Sequence, residues 1–422
     1  MNESRSAGLP ARAAALRVLT AALQKRGGLE EALAQPGFAR LPLRDRAFAR
    51  ALVMAALRRM GPIDRALDAR LLREPPRPIR DILRLGAAQL FFLDVPNFAA
   101  VMTTVELAPR PLRALVNAVM RGLTRGGAPA VDFEALAPAW LFARWRAAYG
   151  AEAAMEIAEW IAKEPATDLT PLVQAQQGLA QALEAEILSG GSMRTARRGD
   201  PSTWPGYSEG RWWIQDAAAA IPARLLDIRG GESALDVCAA PGGKSLQLAA
   251  AGAKVTALDR SAQRMRRVAA GLARTGLSAE LVVADAITWG DERRFDAVLV
   301  DAPCSATGTF RRHPDVLWNA RPGDIASMAN IQGALIAAAA LRVKSGGRLV
   351  YSVCSLEGEE GEAQVAALLK SRADFVSEPI EAGEGGAPAK SRTPEGWLRI
   401  LPPHLAGGVD GFFVARLRRL EV

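Results

Sequence analysis

Thiols and imidazoles are scarce in this 422-residue chain, which holds three cysteines (Cys238, Cys304, Cys354) and two histidines (His313, His404). Three cysteines without a C-x-x-C pair build neither a disulfide framework nor a zinc site, so a reducing cytoplasmic setting and no metal are expected. No uncharged apolar run reaches the roughly 20 residues that cross a bilayer. The early run at 13–23 contains Arg17 and is followed by Lys25-Arg26, unlike a secretory signal. A soluble protein with no membrane partner is the expectation. Two phosphate-binding fingerprints are missing as well: neither G-x-G-x-x-G nor G-x-x-x-x-G-K-[ST] is present, although Lys244-Ser245 mimics the tail of the second. No internal repeat is visible.

What is present is ordinary globular material. Half the residues are hydrophobic and 23% are charged, and 422 residues allow two to three domains. Lysine and arginine total 53 against 45 acidic residues, a net charge of +8. That balance suits nucleic acid, but many soluble proteins reach it.

The organising stretch is Leu235-Asp236-Val237-Cys238-Ala239-Ala240-Pro241-Gly242-Gly243-Lys244-Ser245. An apolar run stops at small residues, proline and two glycines, and a helical pattern follows. This order predicts strand, tight turn and helix, the first crossover of an open parallel sheet. Gly242 and Gly243 let a ligand approach the backbone, and free N–H groups at the helix start would face it. Further strands are predicted near 255, 281, 297 and 348. Three of the predicted strands end in acids: Asp259, placed for ribose hydroxyls; Asp285, within reach of an adenine amino group; and Asp301. Ligands of open α/β sheets bind at the carboxyl ends of strands, so these acids are expected to share one crevice.

Three blocks carry a resemblance: Asp236 to Lys244, Asp301-Ala302-Pro303-Cys304-Ser305, and Tyr351-Ser352-Val353-Cys354-Ser355. In this order, with Arg312-His313-Pro314-Asp315 and Asp410-Gly411-Phe412-Phe413, they resemble the Sun/Nop family of RNA cytosine-5 methyltransferases. The bacterial branch of that family acts on small-subunit (16S) ribosomal RNA. The resemblance implies an α/β fold: a seven-stranded Rossmann-like class I methyltransferase domain over 211–422, preceded by an all-α NusB-like domain over 1–127 and a small connecting segment over 128–210. It implies S-adenosyl-L-methionine as cofactor, held by Cys238, Ala239, Ala240, Pro241, Gly242, Gly243, Lys244, Asp259, Asp285 and Asp301.

For catalysis the resemblance assigns Cys354 as the thiolate that adds to cytosine C6, Cys304 as the group that assists breakdown of the adduct, and Asp301 as a contact to the cytosine N3/N4 face. DNA cytosine-5 methyltransferases use a Pro-Cys nucleophile instead, so the swapped assignment stays open. Covalent addition is needed because C5 of cytosine is a poor nucleophile until a thiolate turns the ring into an enamine-like species. The family commonly has threonine before the nucleophile, where this chain has Val353. The implied partner is RNA, rRNA possibly in a small-subunit precursor, with a monomer expected; transfer RNA, or a non-catalytic assembly role, are the alternatives. Asp301-Ala302-Pro303-Cys304 argues against amino-group methylation, which would want D/N-P-P-[YF].

The remaining readings are local. Residues 12–126 show helical spacing, with proline and glycine punctuation. Arg58-Arg59 and Arg44/Arg46/Arg50 are candidate phosphate contacts, weighed against a solvated helix face. Arg194, Arg197 and Arg198 form a basic cluster, weighed against a mobile loop. Trp204, Trp212 and Trp213 either stack bases or fill an interface. Residues 212–226 are predicted as one helix, and 381–391 as a mobile Gly/Ala-rich loop. Cys238 is expected to be buried strand filler, Lys244 to orient Asp301 or a ribose hydroxyl, and His313 to shape the RNA pocket.

Overall fold

Apolar residues every three or four positions carry the first part of the chain into helices, and proline sits at their starts, where a missing N–H costs nothing. The computed structural model describes residues 8–24, 28–130, 132–173 and 177–421. It divides into two compact units, Met1–Glu164 with Arg312–Asn319, and Pro165–Arg311 with Ala320–Val422.

The first unit is helical. Helices Leu9–Ala22, Leu43–Arg58, Met60–Asp68, Arg77–Phe92, Asn97–Leu107 and Arg113–Gly126 bury Leu19, Leu52, Leu57, Ile63, Leu67, Leu83, Leu85, Met120 and Leu123. Gly86 permits a close helix crossing, because a Cβ there would lie 2.6 Å from the Met120 sulfur. Arg84 holds Asp64 at 2.7 Å and the fully buried Asp81 at 2.9 Å. Helices Ala139–Tyr149 and Ala151–Ala162, separated by Gly150 at φ 88°, complete the run and bury Trp145. Arg58 is buried and donates to the Ile161 carbonyl, and Arg59 stacks on Phe92, so neither is a solvated phosphate contact. Residues Arg312–Asn319 belong to this unit: Asp315 accepts from the Leu29 N–H, Trp318 donates to the Leu57 carbonyl and Asn319 to that of Ala22. His313 is therefore part of the helical packing. Burial and the charges of Arg312, Arg50 and Arg58 push its imidazole down to about 3.

The second unit begins with a small antiparallel sheet of β1 (Thr167–Pro171), β2 (Ala185–Ile187), β3 (Met193–Thr195) and β4 (Trp212–Ile214), in the order β2-β3-β1-β4. Its core is Leu169, Leu179, Leu183, Met193, Trp204 and Trp212, with Tyr207 edge-on to Trp212. The tryptophans fill space. Arg194 is buried in a bidentate pair with Asp168 at 2.7 and 2.8 Å and donates to the carbonyls of Ala406 and Gly408, so the supposed basic cluster is largely structural. Arg197 pairs with Glu184. Residues 212–226 are not one helix: β4 pairs with β1, and a helix starts at Ala217, capped by Asp216 accepting from the Ala218 N–H.

The large sheet then forms from β5 (Ser233–Val237), β6 (Lys254–Asp259), β7 (Glu280–Val283), β8 (Phe295–Asp301), β9 (Val343–Val353), β10 (Phe375–Ser377), β11 (Leu398–Ile400) and β12 (Phe412–Arg419). The order is β10-β12-β9-β8-β5-β6-β7, with β11 paired to β12 outside that row. Strands β5 to β9 are mutually parallel, and β12 runs antiparallel to β9, β10 and β11. The seven-stranded expectation holds for the row, with β11 as an extra strip. Helix Pro322–Leu341 is long and apolar enough to cross a membrane by composition, yet its Leu335, Ile336, Ala339 and Ala340 pack with Val298, Val300, Leu349 and Tyr351 of the sheet.

The three-part division expected from the sequence differs from these units: its middle segment splits after Glu164, its helices joining the first unit and its strands the second. The Gly/Ala-rich stretch 381–391 is packed rather than mobile: Arg416 grips Glu384, Gly386 lies against Ser189, and Ala387 and Ser391 are buried.

Candidate active site

Strand order reverses at β5, whose neighbours are β6 on one side and β8 on the other, and a crevice opens at such a switch point. Asp236 near the end of β5 is fully buried. Its Oδ2 accepts from Ser245 Oγ at 2.5 Å while Oδ1 has no partner, and burial pushes the carboxyl up to about 7. Cys238 follows at φ 63°, and burial together with Asp259 pushes its thiol up to about 12, which suits an inert filler. Ala239 donates to the Leu258 carbonyl and Ala240 to Asp259 Oδ2 at 3.2 Å, so the turn is stitched to the end of β6. Pro241 follows a cis peptide. Gly242, at φ 111°, can hold no side chain without pressing on the Val268 backbone, 3.1 Å from where its Cβ would be.

Asp259 is buried and also accepts from the Ser261 N–H. Asp285, after β7, is exposed and accepts from the Ile287 N–H in its own turn, bonding none of the other site residues. Lys244, in the first turn of helix Gly243–Ala250, reaches Asp301 at the end of β8: Nζ donates to Oδ2 at 2.7 Å, and Ser352 Oγ donates to Oδ1 at 3.0 Å. The bare glycine backbone, the buried Asp236 oxygen without a partner and the acids at the ends of β6 and β7 fit an adenosyl group with its ribose.

The two remaining cysteines come from neighbouring strands, β8 and β9. Hydrogen bonding between them continues past their ends, with the Ala302 N–H donating to the Ser352 carbonyl and the Gly308 N–H to that of Cys354. The result brings Cys304 and Cys354, fifty positions apart, to a sulfur–sulfur distance of 3.4 Å, both half-buried. The Cys354 sulfur and burial push the Cys304 thiol well above the usual range. Gly308 and Gly411 touch backbone to backbone, since a Cβ on Gly308 would sit 2.1 Å from the Gly411 carbonyl oxygen. The Asp410-Gly411-Phe412-Phe413 segment thus braces the Pro-Cys loop.

Sequence reasoning missed two buried polar groups here. Arg311 lies 3.3 Å from Asp216 and 3.6 Å from Asp410 and donates to the Gly407 carbonyl. Glu360 accepts from the loops that follow both cysteines. The partners Asp410, Ser305 and Ser355 all stood in recognised blocks, but Arg311 and Glu360 themselves lay outside them.

Comparison with known proteins follows the same outline. Residues 223–418 match the family described as 16S rRNA methyltransferase RsmB/F, and residues 9–125 match the NusB family. The ribosomal RNA small subunit methyltransferase B of Xanthomonas campestris pv. campestris is 36% identical, covering 98% of both chains. The protein of that name from Xylella fastidiosa Temecula1 is 37% identical over 98% of each. Among solved structures, PH0851 superposes with a TM-score of 0.78 at 23% identity, covering 98% of this chain and 99% of the other. A methyltransferase homolog protein from Pyrococcus horikoshii gives 0.56 at 28% identity, over 66% of this chain and 95% of its own. With both family models matched and relatives 36–37% identical over 98% of each chain, the chain belongs to the RsmB/F family of S-adenosyl-L-methionine-dependent 16S rRNA methyltransferases.

Proposed function

We propose that the protein methylates C5 of a cytosine in small-subunit ribosomal RNA through a covalent thiolate adduct, acting as a cytoplasmic monomer. The observation that carries this reading is the 3.4 Å contact of Cys304 and Cys354 at the tips of β8 and β9, next to the Lys244–Asp301 pair. S-adenosyl-L-methionine, when bound, would supply an electrophilic methyl group; Gly242, Gly243 and the turn amides would hold it, with Asp259 available to its ribose and Asp285 to its adenine.

Cys354 acts as the nucleophile: its thiolate adds to C6 and raises electron density at C5, so that one difficult step becomes two easier ones. A base from solvent takes the C5 proton and the C5=C6 bond re-forms, and Cys304, held protonated beside Cys354, gives its proton to the departing Cys354 sulfur as the C6–S bond breaks. Asp301, fixed by Lys244 and Ser352, accepts from the cytosine N4 amino group and orients the ring. The target base leaves any stack to reach these groups. Val353, where the family commonly has threonine, is fully buried and pairs with Phe413 on β12, which fixes the strand end just ahead of Cys354.

The test is incubation of purified protein with labelled cofactor and either 16S rRNA or tRNA, followed by mapping of the modified base. Label at C5 of an rRNA cytosine is expected; label confined to tRNA, or to an amino group, overturns the substrate or the chemistry. Cys354→Ala is expected to abolish turnover, whereas Cys304→Ala accumulates a protein–RNA adduct that survives a denaturing gel. Adduct from the first variant and none from the second reverses the two roles.

A further inference from the structure

Each reactive cysteine is followed by a serine, Cys304-Ser305 and Cys354-Ser355, and both serines meet one carboxylate. Glu360 is completely buried in the turn that precedes helix Glu362–Ser371. Its Oε1 accepts from the Ser305 N–H at 2.8 Å and from Gln332 Nε2 at 3.2 Å. Its Oε2 accepts from Ser305 Oγ at 2.5 Å and from Ser355 Oγ. Gln332 also donates to the Pro303 carbonyl at 2.8 Å, so the residue before Cys304 is tied in as well as the residue after it. The Glu360 carbonyl accepts from the Tyr351 hydroxyl at 2.7 Å, which anchors the turn to β9 three residues ahead of Cys354. The two serine hydroxyls are 3.1 Å apart.

We propose that Glu360 is a positioning residue of the methyl-transfer site, a buried clamp that ties the loop of Cys304 to the loop of Cys354 and keeps the two sulfurs in contact. The assignment rests on the thiol mechanism above for its purpose, but the clamp itself stands on the hydrogen bonds. A buried carboxylate is costly unless fully hydrogen-bonded, and all these donors are neutral, so its charge is not cancelled by them. That charge faces Cys304 and adds to the Cys354 sulfur and burial in opposing the ionisation of Cys304. The other ionisable groups around the junction are Asp301 with Lys244, Tyr351, Glu357, and Arg399 paired with Glu362; Arg399 donates to the Ser355 carbonyl.

The experiment compares wild type with Glu360→Ala and the shape-conserving Glu360→Gln, using full-length protein checked for folding by circular dichroism. Diamide accepts two electrons and two protons as Cys304 and Cys354 join in a disulfide, so its rate reads sulfur proximity without RNA or cofactor. Closure is expected to slow at least tenfold in Glu360→Ala and to stay within threefold of wild type in Glu360→Gln. In a Cys354→Ser background, Glu360→Gln is expected to move the pH midpoint for iodoacetamide labelling of Cys304 down by one unit or more. Unchanged closure in folded Glu360→Ala, or an unmoved midpoint in the Gln variant, overturns the proposal. Failure of RNA methylation with both thiol readouts as expected would instead count against the assigned reaction.

Discussion

The two sheets of the second unit spend their buried charges differently. In the four-stranded sheet, Asp168 meets Arg194 through two short hydrogen bonds, and the guanidinium is completed by two backbone carbonyls. Nothing is left over to bind or react. In the large sheet, Asp236 keeps an oxygen without a partner, and Asp301 is one-third exposed beside a lysine at a strand tip. Burial alone does not mark chemistry; burial with unspent capacity at the carboxyl ends of parallel strands does.

The comparison can be broken at its structural end first. Asp168→Ala strands Arg194 in the small sheet and is expected to lower stability by about 3–5 kcal/mol in urea unfolding. A loss below 1 kcal/mol would mean the pair is no more structural than those at the crevice. Asp301→Asn is expected to fold normally and lose about 100-fold in methyl-transfer rate, about 2.7 kcal/mol of barrier. If it instead lost stability with full activity, the distinction between the sheets would fail. The smallest effect sharpens the contrast. The Asp236 carboxyl is raised from 3.8 to about 7 in the folded protein, so the folded state holds a proton that the unfolded state releases between those values. Stability therefore falls as pH rises from about 4 to 7, and stays reduced above that. Asp236→Asn is expected to remove this slope and gain on the order of 2.5 kcal/mol over wild type on going from pH 5 to pH 8, read from melting at each pH. Parallel curves would show that Asp236 is satisfied after all.

The large sheet was legible because its signals are local: an apolar run, a turn of small residues, then an acid or a cysteine at the strand tip. Asp259, Asp301, Cys304 and Cys354 could all be found from that pattern. The small sheet was not, because three of its four strands have three residues and carry too little alternation to register. Arg194 read as one of a basic trio because its partner Asp168 lies 26 positions away and is brought near only by the pairing of β1 with β3. Residues 212–226 read as one helix because the alanine-rich half masked the Trp212-Trp213-Ile214 strand, although Asp216 was available as a helix-start signal. Glu360 was hidden in an acidic turn whose neighbours look like solvent-facing charge.

The membership of Arg312–Asn319 in the helical unit has a consequence for any attempt to divide the chain. Neither unit is a continuous stretch, so no single cut yields both intact. A fragment ending at Glu164 lacks the tryptophan and asparagine that cover the Leu57 and Ala22 carbonyls and the aspartate that receives the Leu29 amide. The helical unit is completed only by a strip that the chain supplies about 150 residues after Glu164.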